Sequence, residues 1–212
     1  MSVTAKKILD TALAELGYRE SPSGSNRTKY GQWYGLDGQP WCVMFVQWVF
    51  HRAGAAELLP VKTASCGTMM RGAKTVGKWV TKDYRPGDVV IFDFSGTGTR
   101  TEHMGIVIEC RGKNLYTVEG NTADGDNSNG GQVLTRLRPL AVVRGAVRPD
   151  YTEEEQAMDN TPSGYAVEAV RWARENGILY GNAAGDLKLH DPVTREQVLT
   201  FLHRFAKSIG KA

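Results

Sequence analysis

Long hydrophobic runs are missing from this 212-residue chain. The densest apolar stretch, 43–50, is interrupted by Gln47 and falls far short of the ~20 residues a membrane helix needs. Membrane insertion is therefore not expected. The N-terminal MSVTAKKILDTALAEL carries lysines but neither a continuous apolar core nor a small-residue cleavage site, so no export signal is expected. Cysteine is scarce: Cys42, Cys66 and Cys110 form an odd set without CxxC or Cys/His metal spacing. A disulfide framework is not expected in a chain this long, and at least one thiol is free. Clustered basic charge is also lacking. The net charge of +3 has no Lys/Arg patch of the kind nucleic-acid binders carry, so no nucleic acid is expected as a partner. The basic excess lies in residues 1–150, and 151–212 are slightly acidic. Such a balance suits an anionic polymer as a partner and equally suits an ordinary solvated face.

What remains is the composition of a globular protein, 41% hydrophobic and 23% charged, long enough for one medium domain and a small second one. Amphipathic spacing predicts a helix over about 4–16, ending at Gly17, and a second over about 42–53, ending at Gly54. A third, shorter one follows Ser65. Between the first two lies a loop rich in Gly, Ser, Asn and aromatics. After Pro86 the period changes to two: PGDVVIFDF, HMGIVIEC, NLYTVEGN, QVLTRLRPL and VVRGAVRP read as short strands separated by turns. Strands in succession without helices between them predict an antiparallel sheet. Helices first and sheet second give an α+β domain over 1–149. An acidic, turn-forming linker over 150–162 then leads to a small helical unit over 163–212.

One cysteine stands out within QPWCVMFVQWVF. Free cysteine is usually core filler. Cys42, however, closely follows Pro40, which limits upstream extension of the helix. The thiol therefore sits in the first turn, where the positive helix end favours a thiolate. A cysteine nucleophile needs a base, and the base needs an orienting group. His51 lies nine residues along the same helix, about two and a half turns, and so faces away from Cys42; it is read as solvent-facing. His190 and His203 fall in the C-terminal unit. His103 remains, at the head of HMGIVIEC. Glu119 and Asn121 close the next strand two residues apart, on one face.

The pieces PWCVMFVQW, PGDVVIF, HMGIVIE and VEGNT, in this order and spacing, resemble the CHAP amidase/peptidase domains. The resemblance covers roughly residues 5–148 and implies a papain-like fold, with N-terminal helices packed on an antiparallel sheet, that cleaves peptidoglycan. It implies Cys42 as nucleophile, His103 as general base and later acid, Glu119 as the group that holds the imidazole tautomer, and Asn121 as an assistant. Cys66 and Cys110 are expected to be packing residues. Some members of the family hold calcium just before the cysteine. Here Asp37 stands alone, and Asp124, Asp126 and Ser128 lack the glycine and closing Glu of a calcium loop; no metal and no cofactor are expected. Trp33 and Tyr34 either stack on sugar rings or pack inward.

Geometry sets one further expectation. His103 and Glu119 share a face only if opposed residues on the two strands have numbers summing to an even total. A two-residue turn at Gly112-Lys113 pairs Arg111 with Asn114 and gives the odd register. The expected hairpin therefore has a three-residue loop, Arg111-Gly112-Lys113, pairing Cys110 with Asn114, or a bulge that achieves the same end.

In the C-terminal unit, WARENGI, the 181–185 turn and HDPVTREQ resemble one S-layer-homology repeat. That resemblance implies binding of anionic secondary cell-wall polymer through Arg195; the alternative is that Arg195 simply starts a helix capped by Thr194. Together these readings lead to a phage-type endolysin that waits in the host cytoplasm until release and then cuts an amide bond of the peptide stem, the cross-bridge or the N-acetylmuramoyl-L-alanine link. A bacterial wall-remodelling hydrolase and a non-catalytic wall-binding protein are the rival readings.

Overall fold

The computed structural model describes residues 3–125, 129–152, 160–181, 185 and 187–210. The chain forms two compact units, Met1–Glu153 and Glu154–Ala212. Asp126 and Ser128, part of the calcium-like spacing, lie outside the described residues, as do 182–184 of the expected C-terminal turn.

The first unit is α+β. Its helices are α1 (Ala5–Leu13), α2 (Lys29–Tyr34), α3 (Cys42–Arg52) and α4 (Cys66–Thr75). Thr4, Thr28 and Ser65 cap α1, α2 and α4, each side chain accepting a first-turn N–H, as their short hydroxyl side chains favour. The helix α2 falls inside what the sequence reads as loop. Its six residues bury only Tyr30 and Gly31, too few to show as a period.

The strands β1 (Trp79–Val80), β2 (Val89–Phe92), β3 (His103–Arg111), β4 (Asn114–Thr122), β5 (Gln132–Pro139) and β6 (Val143–Val147) form one antiparallel sheet in the order β1-β6-β2-β3-β4-β5. Almost every residue of α3 is buried, which makes it the central helix: a helix apolar on all sides must be surrounded. It packs on β3 and β4. Its core face meets Ile91, Met104, Ile106 and Val118, whereas Val90, Phe92, Val107 and Leu115 build a second cluster. Gln47, the polar residue that interrupts the apolar run, is buried and donates to the Val61 carbonyl at 2.9 Å. His51 is exposed, with its ring 4.9 Å from that of Trp33.

The β3–β4 hairpin corrects the expected loop. Arg111 pairs with Asn114 across a two-residue turn, with Gly112 at φ +59°, where glycine meets no steric penalty. The odd register runs through Cys110–Leu115 and Glu109–Tyr116. It then shifts, so that Val107 faces Thr117 and Ile106 faces Val118. Ile108 is the extra residue of a bulge, and beyond it the register is even.

Asp150, Tyr151 and Thr152 do not begin a linker. Lys78 reaches Asp150 at 2.6 Å, the Tyr151 hydroxyl donates to the Gly87 carbonyl at 2.7 Å, and the Thr152 N–H donates to Val3 at 3.0 Å. All three belong to the first unit.

The second unit holds a 3-10 turn (Gly164–Ala166), α5 (Val167–Glu175) and α6 (Arg195–Ser208). Thr194 and Gln197 form a reciprocal capping box at the start of α6. Ile178 and Leu187 are its buried apolar residues among those described, and Trp172 meets Phe205 edge-on at 6.1 Å.

Truncating Phe45 tests the packing of α3 on the sheet, because its fully buried ring touches Tyr30 and stands over Gly120. Phe45→Ala should lower unfolding free energy by about 3–5 kcal/mol, read from urea denaturation. A loss below about 1 kcal/mol, the scale of a surface change, would mean that α3 does not seat there.

Candidate active site

The segment ahead of Cys42 is held by aromatic packing. Tyr30 stacks on Trp41 at 5.2 Å and meets Trp48 edge-on at 5.2 Å, while its hydroxyl donates to Glu15 at 2.6 Å. Trp41 Nε1 donates to Glu20 Oε2 at 3.3 Å. Trp41 is the N-cap of α3 and supplies no capping side chain. The first-turn N–H groups are thus left for other acceptors, and the Val43 N–H donates to the Cys42 sulfur.

His103 opens β3 and is fully buried. Its Nε2 lies 3.0 Å from Glu119 Oε2 on β4. Its Nδ1 is also buried, and the ring is close enough to Cys42 that each alters the other's proton affinity. With Nε2 held by the carboxylate, Nδ1 is the nitrogen left to exchange a proton with the thiol. Phe92 and Phe94 lie near the imidazole, with ring centroids at 6.1 and 6.0 Å.

The even register makes this meeting possible. It sets Gly105 across from Glu119, and a Cβ at Gly105 would fall 2.7 Å from Glu119 Cγ. The carboxylate side chain therefore lies over a position that only glycine leaves open. Glu119 is fully buried, and both oxygens are used. Thr117 Oγ1 donates to Oε1 at 2.6 Å, and Arg138 on β5 donates from Nε to Oε1 at 2.9 Å and from Nη2 to Oε2 at 2.5 Å.

The resulting electrostatics follow from neighbours more than from burial. Hydrogen bonding to Cys66, then to His103, holds the Cys42 thiol well below its usual range despite burial. Cys66 is pushed up, first by its hydrogen bond to Cys42 and then by burial. Burial would lower His103, but the hydrogen bonds and charges of Cys42 and Glu119 outweigh it and raise it to about 9. Burial would raise Glu119, yet Arg138 and then His103 bring it down to about 2. The arrangement favours a thiolate beside an imidazolium, a form suited to attack on a carbonyl carbon.

The structure thus brings Cys42, His103 and Glu119 together. It does not bring Asn121 to His103. Asn121 has φ +60°, and the β4–β5 register breaks between Glu119 and Thr122. Its side chain turns to the neighbouring loop, donating to Asn129 Oδ1 at 3.1 Å and accepting the Gly131 N–H at 3.2 Å. Cys66, expected as packing, is buried but touches the Cys42 thiol. Cys110, also expected to pack, is exposed. Trp33 is about one-third exposed against Tyr34 and His51. Arg195, in the second unit, is an exposed first residue of α6. Arg138 was missed by sequence reasoning. The available signal was an arginine on a strand between apolar residues, which becomes meaningful only once its cross-strand partner is known. Among the described residues, no group of three or more His, Cys, Asp or Glu side chains is placed to hold a metal ion.

Residues 33–121 match the family model for the CHAP domain, a stretch that includes Cys42, His103 and Glu119. It ends before the C-terminal unit, so it lends no support to the S-layer-homology resemblance there. No curated protein matches the chain. The crystal structure of a wild-type endolysin, LysIME-EF1, aligns with 18% identity over 85% of this chain and 88% of that one, with a TM-score of 0.42. A likeness at that level is too weak to fix a fold or a role.

The Glu119–Gly105 contact yields a titration test. Gly105→Ala should displace the carboxylate from His103 and let the imidazole fall from about 9 toward the ordinary histidine range. The shift would be read from ring-proton NMR against pH in the folded protein. An unchanged midpoint would show that Glu119 does not set the histidine's proton affinity.

Proposed function

We propose that this protein hydrolyses peptidoglycan by cysteine nucleophilic catalysis, in the manner of a CHAP-type endolysin. The carrying observation is the buried Cys42–His103–Glu119 arrangement at a helix start, in a segment similar to a CHAP domain. In this reading the Cys42 thiolate attacks the carbonyl carbon of a wall-peptide amide. The oxyanion that forms is met by the Cys42 backbone N–H; Gln39, exposed just upstream, is a weaker donor candidate. The His103 imidazolium gives its Nδ1 proton to the leaving amine, which departs and leaves a thioester. His103, now neutral, takes a proton from water, whose oxygen attacks the thioester carbonyl and releases the acid and the thiolate. Glu119 keeps the ring oriented and its charge balanced throughout.

The bond cut is an amide of the stem, the cross-bridge or the muramoyl link, and mass spectrometry of digested muropeptides would assign it. The endolysin reading places the protein in the host cytoplasm before release. A bacterial remodelling enzyme would use the same chemistry. A non-catalytic scaffold would have no use for a thiol held below its normal range, which favours the enzymatic readings.

Wall binding by the second unit belongs to the same proposal, with anionic wall polymer as partner. What supports it is the exposed Arg195 beside the exposed apolar side chains of Val193, Val198 and Leu199. In a Cys42→Ala background, which leaves walls intact, Arg195→Ala should reduce pelleting with Gram-positive walls several-fold, and a salt-sensitive loss is expected of an ion pair. Equal pelleting by both proteins would remove Arg195 from wall binding.

Cys42→Ala and His103→Ala should each abolish clearing of a wall suspension, a loss of at least ~10³-fold. Clearing by Cys42→Ala at the wild-type rate would exclude the mechanism. Because His103 is raised to about 9, its proton is held through neutral pH and lost above that value. Lysis should therefore hold to about pH 9 and then decline, as a turbidity–pH profile would record.

A further inference from the structure

We propose that Arg138 is a positioning residue for the cysteine chemistry: its guanidinium completes a buried row of alternating charges, Arg138, Glu119, His103 and Cys42, and so permits the thiolate–imidazolium pair to exist out of water. The proposal rests on the reading of Cys42 as nucleophile.

Three observations carry it. Arg138 lies on β5, only 5% exposed, and grips both oxygens of Glu119 at 2.9 and 2.5 Å, with a further contact to Thr122 Oγ1 at 3.3 Å. Its guanidinium also lies over the rings of Phe92 and Phe94, at 5.5 and 5.0 Å. These are the same rings that flank His103, so one aromatic pair walls off both cations. Finally, Glu119 touches His103 through the same Oε2 that receives the guanidinium Nη2. Arg138 therefore reaches the histidine through the carboxylate.

Charge balance explains why a neutral residue would not serve. Thiolate, imidazolium and carboxylate together carry one net negative charge in a buried space. An uncompensated buried charge is relieved by proton uptake. Arg138 brings the row to neutrality with a cation that never gives up its proton. Among the described residues, the titratable and charged groups that act on this row are Cys42 on α3, Cys66 on α4, His103 on β3, Glu119 on β4 and Arg138 itself on β5; β2 presents Phe92. Removing a cation raises the proton affinity of every acid near it. Loss of Arg138 should thus move the Cys42 thiol toward higher pH.

The test is carbamidomethylation of Cys42 by iodoacetamide across pH in the full-length protein. Cys110→Ser removes the exposed thiol, and peptide mass spectrometry identifies the modified cysteine. Arg138→Gln should shift the acid limb of Cys42 alkylation upward by about one pH unit, and Arg138→Lys, which keeps the charge, should restore most of that shift. An unmoved limb in folded Arg138→Gln would overturn the proposal, since a merely structural residue changes stability without moving a thiol titration. If Arg138→Gln does not fold, Glu119→Gln is compared with Glu119→Gln/Arg138→Gln, a pair that buries no lone carboxylate. The double variant should titrate higher than the single, and coincident limbs would overturn the proposal. Alkylation needs no wall substrate. A protein that shows these shifts but leaves peptidoglycan intact would refute the proposed substrate and uphold the role of Arg138. A wild-type Cys42 that alkylates only in the range of an ordinary thiol would refute both.

Discussion

A carboxylate with no access to water is the constraint around which the first unit is arranged. Glu119 is fully buried, and an isolated ionised carboxyl there would be too costly to persist. It is tolerated because donors arrive from three strands: His103 from β3, Thr117 from β4 itself, and Arg138 from β5. Removing any one leaves a charge or a polar atom exposed to an apolar interior. The network thus adds side-chain ties between β3, β4 and β5 to those of the backbone ladder.

That constraint accounts for two features that look like irregularities. The bulge at Ile108 costs ladder hydrogen bonds, yet without it the odd register set at the Gly112-Lys113 turn would run on and put His103 on the opposite face from Glu119. Gly105 gives up side-chain packing in mid-strand, where glycine is normally weak, because the Glu119 side chain occupies the space a Cβ would need. Both departures from regular sheet geometry serve the same contact.

Much of this was legible in the sequence. The helix starts near residue 4 and after Ser65, the helix after Pro40 and the period-two strands all come from local rules, and they place Cys42, His103 and Glu119 on the right kinds of element. What could not be read depends on distant pairing. The approach of Cys66 to Cys42 joins two helix starts far apart in the chain. Arg138 is an ordinary strand residue until the β4–β5 register sets it, opposite Leu115, on the face of Glu119, which its long side chain reaches. Cys110 shows the converse error: the bulge at Ile108 brings it, opposite Leu115, to the face that carries Thr117 and Glu119, yet near the turn it is exposed. Asn121 failed for a local reason. Its left-handed backbone ends the alternation that put it on the face of Glu119, and asparagine is among the few residues that adopt that conformation readily.

Cys42 and Cys66 each begin a helix, each is nearly buried, and their proton affinities are driven apart, one down and the other up. A thiol that keeps its proton is a donor toward a neighbouring sulfur, so Cys66 and His103 both stabilise negative charge on Cys42, and Val43 adds a backbone donor. The site therefore does not depend on the helix end and the histidine alone, the influences visible from sequence. A serine at position 66 would also donate, with a shorter reach, whereas alanine would not. The residue read as filler is thus bound into the same balance that begins at Arg138 and ends at the Cys42 sulfur.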